Sequence, residues 1–146
     1  MAYATASDLR SKWGSEAVNL LAWDDAEQAP DETKVSGALD AAAAIIDSYI
    51  GRRYKLPAQL QPDAAILLRG FCCDLAMGQL ANTPATRNDI IKEAEKAALA
   101  FLRDISEGKA TLNIIPSAEA GVVIGPEESV LVDEAGDSMR RRLRRL

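Results

Sequence analysis

Histidine is absent from this chain of 146 residues. That removes Ser/His/Asp and Cys/His nucleophilic sites and most zinc sites together. Only two cysteines occur, Cys72 and Cys73, and they are adjacent. On a helix, neighbouring side chains point about 100° apart, which disfavours an ordinary disulfide between them. They are expected as small buried core thiols in a reducing compartment, with no redox or metal role. Aromatic residues make up 5%, so helices must pack largely through small side chains. No glycine-rich phosphate loop of either standard spacing is present. No apolar run approaches the ~18 residues that cross a bilayer, and MAYATASDLR lacks the basic region and apolar stretch of a signal peptide. The acidic loop DDAEQAPD (24–31) places Ala26 and Gln28 where an EF-hand needs ligands, so it is read as a solvated turn. The other carboxylates fall on expected helix exteriors or turns, which argues against glycosidase chemistry. Together these absences exclude the common enzyme classes. The chain is expected to be no enzyme, with no catalytic, cofactor or metal site.

What is present is helix-forming sequence. The length suits one domain able to bury a core without disulfides, and 48% hydrophobic with 27% charged residues is ordinary for a globular protein. The stretch Asp63–Ala81 organises the rest. Ile66, Leu67, Leu68, Phe71, Cys72, Cys73, Leu75, Ala76, Met77 and Leu80 wrap most of a helical circumference. A helix apolar nearly all round is a core helix when it is too short to span a membrane. Gly70 and Gly78 lie near one face of it and would admit a closely packed neighbour. Asp74 is the one ionisable residue expected to be buried, paired with Arg52 or Arg53.

The remaining segments read as partners of that helix. Thr5 and Asp8 form the two ends of a capping box, and Gly14 closes the short helix they begin. Ser15 is placed to cap a second short helix from Glu16 to about Trp23, with Trp13 and Trp23 as anchors at its two ends. One reading packs both tryptophans onto the bundle, and the other exposes one to a partner. Asp31 caps a long helix from Glu32 to about Arg53, whose face carries Val35, Leu39, Ala42, Ile46, Tyr49, Ile50 and Tyr54. Pro57 ends it, and Pro62 fits the first turn of the core helix. A third long helix runs from about Arg87 to Glu107. Its apolar face is Ile90, Ile91, Ala94, Ala97, Ala98, Phe101, Leu102 and Ile105, and Lys92, Glu93, Glu95 and Lys96 lie opposite. Nothing before Gly108 reads as a strand.

The fold class is therefore all-α: a bundle of three long helices plus short N-terminal helices over residues 1–111, followed by an arm, 112–146. The arm carries two β-branched patches, Val122, Val123, Ile124 and Val130, Leu131, Val132, suited to a short β-hairpin or an extended segment that adds to a neighbour. It ends in SMRRRLRRL, where Met139, Leu143 and Leu146 share a helical face among Arg140, Arg141, Arg142, Arg144 and Arg145. All 22 acidic residues precede this tail, so residues 1–138 carry −10 and the last eight carry +5. An acidic body with a basic tail points to an acidic partner surface or to nucleic acid.

The order of these pieces carries a resemblance. MAYATASDL, an Ala-rich helix ending DSYIGRRYKLP, a proline-led helix containing CCDLAMGQL and a helix ending LRDISEGKATL resemble the small neck proteins of Mu-like bacteriophages, a domain family of unknown function. The resemblance covers about residues 1–112 and rests on Tyr49, Gly51, Arg53, Tyr54, Leu56, Pro57, Asp74 and Gly108. That family is similar to the helical head–tail connector, or adaptor, proteins of tailed phages. The resemblance implies a homo-oligomeric ring, commonly of twelve subunits, beneath the portal protein. It implies a stopper or tail-terminator as the next partner and genomic double-stranded DNA in transient contact with the lumen. It also implies residence in the virion neck, after assembly in the host cytoplasm, with no membrane. Tyr49, Arg53, Tyr54 and Asp74 are then structural. Residues 122–124, 130–132 and 139–146 would bind the portal or a neighbouring subunit. Two other readings stand beside this one. A DNA-binding regulator would use the arginine tail, but neither long amphipathic helix is net basic on its solvent face. A stopper-type neck protein is expected to be β-rich.

Overall fold

The computed structural model describes residues 2–114. Its elements in order are α1 (Ala6–Trp13), α2 (Ser15–Leu21), β1 (Trp23–Asp24), β2 (Ala29–Pro30), α3 (Glu32–Ile50), α4 (Pro62–Leu80) and α5 (Asp89–Glu107). The fold is all-α, with one two-stranded antiparallel hairpin in which Trp23 faces Pro30 and Asp24 faces Ala29. No helix among the described residues is long and apolar enough to cross a membrane.

Local chemistry sets most helix ends. At α1 the Thr5 hydroxyl accepts from the Asp8 amide at 3.2 Å and the Asp8 carboxylate accepts from the Thr5 amide at 2.8 Å. The Thr5 donors also hold the Asp8 carboxyl below the usual carboxylate range. Asp31 accepts from the Thr33 amide at 2.8 Å to start α3, and Asn88 from the Ile91 amide at 2.9 Å to start α5. Pro62 occupies the first turn of α4, where no amide is needed. Gly108 ends α5 in the left-handed conformation, φ +82°.

Several boundaries differ from the sequence expectation. Ser15 is not a cap: Gly14, φ +89°, is the capping residue of α2, and no side chain bonds its free amides. The helix stops at Leu21, because the chain turns into the hairpin, where the Asp31 amide donates to the Ala22 carbonyl at 2.8 Å. Residues 25–28 are an exposed turn, as expected, but the residues on either side pair as β1 and β2, where the sequence showed no strand. α3 ends three residues before Arg53, where the Arg53 and Tyr54 amides both fold back onto the Ile50 carbonyl.

α4 is the central helix, packed against α1, α2, α3 and α5. Its seven residues from Cys72 to Gly78 are all buried, nearly two full turns with no solvent face. The first half behaves otherwise: Ile66 is 63% exposed, Leu67 37%, and Arg69 faces solvent. Lys12 of α1 bonds the Gly70 carbonyl, and Leu21 of α2 lines a groove with Leu80, so both short helices meet the second half of α4. α5 also buries a narrower stripe than its sequence suggests. Ile91, Ala98, Leu102 and Ile105 are buried, Phe101 meets Phe71 with ring centroids 5.2 Å apart, and Ile90 and Ala97 are exposed.

Gly70 and Gly78 make room for charged side chains and not for a helix backbone. Lys12 reaches over Gly70 and donates to its carbonyl at 3.1 Å. A Cβ on Gly78 would stand 2.9 Å from Cδ of Glu95, whose carboxylate is ion-paired with Arg87. Glu95 was placed on the solvent face of α5. In the structure it turns toward α4, and its side chain is 15% exposed.

Candidate functional site

Most of the residues that carry the family resemblance, Asp74 excepted, converge at one end of the bundle. After α3, Tyr54 turns inward and is buried, and its hydroxyl oxygen accepts from the Leu112 amide at 3.2 Å. Beside it, Nη1 of Arg53 donates to the Ala110 carbonyl at 3.2 Å. The Arg53 guanidinium lies against Gly108, where a Cβ would approach Cζ to 3.4 Å. Farther along, the Gln61 amide donates to the Asn113 carbonyl at 3.0 Å, and Leu60 forms an antiparallel bridge with Ile114. Leu112 is buried in the core between these contacts. The connection between α3 and α4 therefore holds residues 108–114 along its length. Tyr49 is half-buried on the same helix end.

These contacts fasten residues 108–114 to the body, and 32 residues follow Ile114. The partner-binding residues proposed for the arm, 122–124, 130–132 and 139–146, lie outside the described residues, as does its expected hairpin.

Asp74 is buried, as expected, but its partner is not Arg52 or Arg53. Its Oδ1 lies 2.7 Å from Nζ of Lys12, which also bonds Gly70. Arg52 is exposed and Arg53 is committed to Ala110. The reason is distance along the helix: Asp74 stands twelve residues into α4, roughly 18 Å from the end where the two arginines sit. Lys12 was legible in principle. It follows the buried Leu9 by three positions and so shares the inward face of α1.

Both thiols are buried and free. Burial pushes Cys72 up to about 12 and Cys73 up to about 11, and the Cys72 thiol points at the Leu39 carbonyl, 3.9 Å away. Tyr3 donates to Asp47 at 2.5 Å, and burial with that carboxylate raises its pKa well above the ordinary tyrosine value. Among the described residues, no group of acidic, cysteine or histidine side chains is arranged to hold a metal ion.

A second feature lies at the opposite end of α3. A groove of about 480 Å3 runs between α2, α3 and α4, lined by Leu21, Lys34, Gly37, Ala38, Ala41, Gln79, Leu80 and Asn82. Leu20, 76% exposed, and Trp23, 43% exposed, stand beside it, so Trp23 takes the exposed reading and Trp13 the packed one. The hairpin carrying Asp24, Asp25 and Glu27 is tied to the groove through Lys34, which lines it and donates to the Trp23 carbonyl at 3.4 Å. Among the described residues, none of these three carboxylates is ion-paired.

Residues 3–122 match the model of the family described as Bacteriophage Mu, Gp36. The Mu-like prophage FluMu protein gp36 of Haemophilus influenzae is 31% identical over 134 residues, covering 92% of this chain and 89% of that protein. Gene product J of Escherichia phage Mu is 28% identical over 138 residues, 94% of this chain and 92% of its own length. The likeness thus extends past residue 112 into the arm.

Proposed function

The chain belongs to the Bacteriophage Mu Gp36 family, and from that premise we propose that it is a structural subunit of the phage neck, an adaptor joined to the portal. Copies form a ring beneath the portal, pass the genome through the lumen, and present a surface to the next neck component. The subunit is a scaffold and not an enzyme. It works in the virion, assembled in the host cytoplasm.

The observation that carries this reading is the clamp at the end of the bundle. An assembly subunit needs a rigid body from which a reaching segment departs in a fixed direction. Arg53, Tyr54 and Gln61 tie residues 110–113 to the body in that way. Charge supports the conduit role. Residues 1–138 carry −10, of which −4 lies in the body, and this acidic surface repels phosphates and leaves a duplex free to slide, while the +5 tail serves protein docking. Arginines interleaved with leucine suit a partly buried protein interface better than a sliding DNA contact.

The test is genetic. A phage lacking this chain should accumulate DNA-filled heads and separate tails, with joined particles restored by supplying the chain in trans. Joined, infectious particles in its absence would overturn the reading.

A further inference from the structure

We propose that the groove between α2, α3 and α4 receives the basic tail, residues 139–146, of a second copy of this chain. The inference rests on the assembly reading and adds to it a specific contact between neighbouring subunits.

Three observations point to this occupant. The groove mixes apolar side chains, Leu21, Ala38, Ala41 and Leu80, with the polar Lys34, Gln79 and Asn82, and the exposed Leu20 and Trp23 flank Leu21 closely along the chain. A surface of that kind takes an amphipathic segment through side chains at helical spacing, and Leu143 and Leu146 recur at a three-residue step in the tail. Charge selects among amphipathic segments. The hairpin reached by Lys34 of the groove carries Asp24, Asp25 and Glu27, none of them ion-paired among the described residues, and the tail carries five arginines. The one cation lining the groove, Lys34, directs its Nζ to the Trp23 carbonyl at 3.4 Å. Trp23, 43% exposed, is an aromatic residue of the kind that attracts a guanidinium.

The donor of the tail is a neighbour because of what identical copies do to one another. Residues 1–114 carry −4 and the tail carries +5, so bodies repel one another, while a tail laid on the next copy's hairpin adds an attraction between subunits. Chain length permits the crossing. Ile114 is bridged to Leu60 at one end of α3, and the groove lies at the other, about 28 Å away for a helix of 19 residues. The residues between 115 and 138 can extend well beyond that span at roughly 3.3 Å each.

Full-length charge-reversal variants test the contact. Asp25→Lys with Glu27→Lys alters only exposed side chains of the hairpin, and Arg140→Glu, Arg141→Glu and Arg144→Glu alters only the tail. Sedimentation at low salt and rising protein concentration should show the wild type associating and each variant alone at least tenfold weaker, with unchanged melting. An equimolar mixture of the two variants should recover association, because the reversed hairpin then meets the reversed tail. A wild type that stays monomeric, variants that associate as the wild type does, or a mixture that stays monomeric would each overturn the proposal. Portal binding is scored separately. Recovered association without any binding to the portal would keep this contact and remove the adaptor reading.

Discussion

Nζ of Lys12 lies 2.7 Å from Oδ1 of Asp74, so the last turn of α1 is tied to the middle of the central helix by an ion pair. The carboxylate side is 10% exposed and the ammonium side 41%, and the same Lys12 satisfies the Gly70 carbonyl. Lys12→Met leaves a buried charge without its partner and should cost about 1–3 kcal/mol in denaturant unfolding. Adding Asp74→Leu should recover most of that loss, because an apolar pair replaces an ionic one. Additive losses in the double variant would contradict the assignment.

The clamp makes a local prediction. Tyr54→Phe removes the oxygen that accepts the Leu112 amide, at an expected cost of about 1 kcal/mol. Arg53→Ala frees the Ala110 carbonyl. In both variants hydrogen exchange at residues 110–113 should quicken far more than exchange in α4. Uniform quickening across the bundle would show that these side chains hold the core and not the root of the arm.

Stability should fall on the alkaline side. Cys72 and Cys73 have folded-state pKa values raised to about 12 and about 11 by burial, above the ordinary thiol value. Their contribution is intact below the unfolded thiol pKa, and is lost as pH rises from about 9 toward those values because only the unfolded chain ionises readily. Tyr3, also raised, acts in the same direction. Denaturation midpoints measured between pH 8 and 11 should decline. The decline should be shallower for the Cys72→Ala, Cys73→Ala double variant. In the native state both thiols should resist alkylation.

Gly78 offers a graded test of the close approach by Glu95. Alanine there meets the far end of a flexible side chain, which can move, so Gly78→Ala should cost less than about 1 kcal/mol. Gly78→Leu drives a larger side chain into the Arg87–Glu95 pair and the buried face, and should cost about 1–3 kcal/mol or more. Equal effects of the two substitutions would mean that Glu95 does not pack there.

Periodicity revealed the bundle because helix identity depends on near neighbours. The face Val35, Leu39, Ala42, Ile46 and Ile50 is buried as its spacing predicts, and the caps Thr5, Asp31, Asn88 and Gly108 act within one turn of chain. What the sequence hid depends on which elements meet. Asp74 was visibly buried, yet its partner lies 62 positions away on another helix. Glu95 looked solvent-facing until Gly78 opened a space beneath it. Ile66 and Ile90 have core chemistry but are exposed among the described residues. The clamp was half legible: Arg53 and Tyr54 stood out in the sequence, but Ala110 and Leu112, which they hold through backbone atoms, left no side-chain signal.

Removing residues 139–146 should leave the melting behaviour of the body unchanged, since none of the described core depends on them, while abolishing assembly with the portal and between copies. Unchanged assembly by the truncated chain would remove the tail from both interfaces.

The most direct test of the neck assignment is the mass of the full-length chain mixed with the portal protein of the same phage, measured by light scattering. A complex heavier than the portal by about one chain per portal subunit is the predicted result. A portal whose mass is unchanged by excess chain, with the chain shifting instead on addition of duplex DNA, would contradict the adaptor account and favour a DNA-binding regulator.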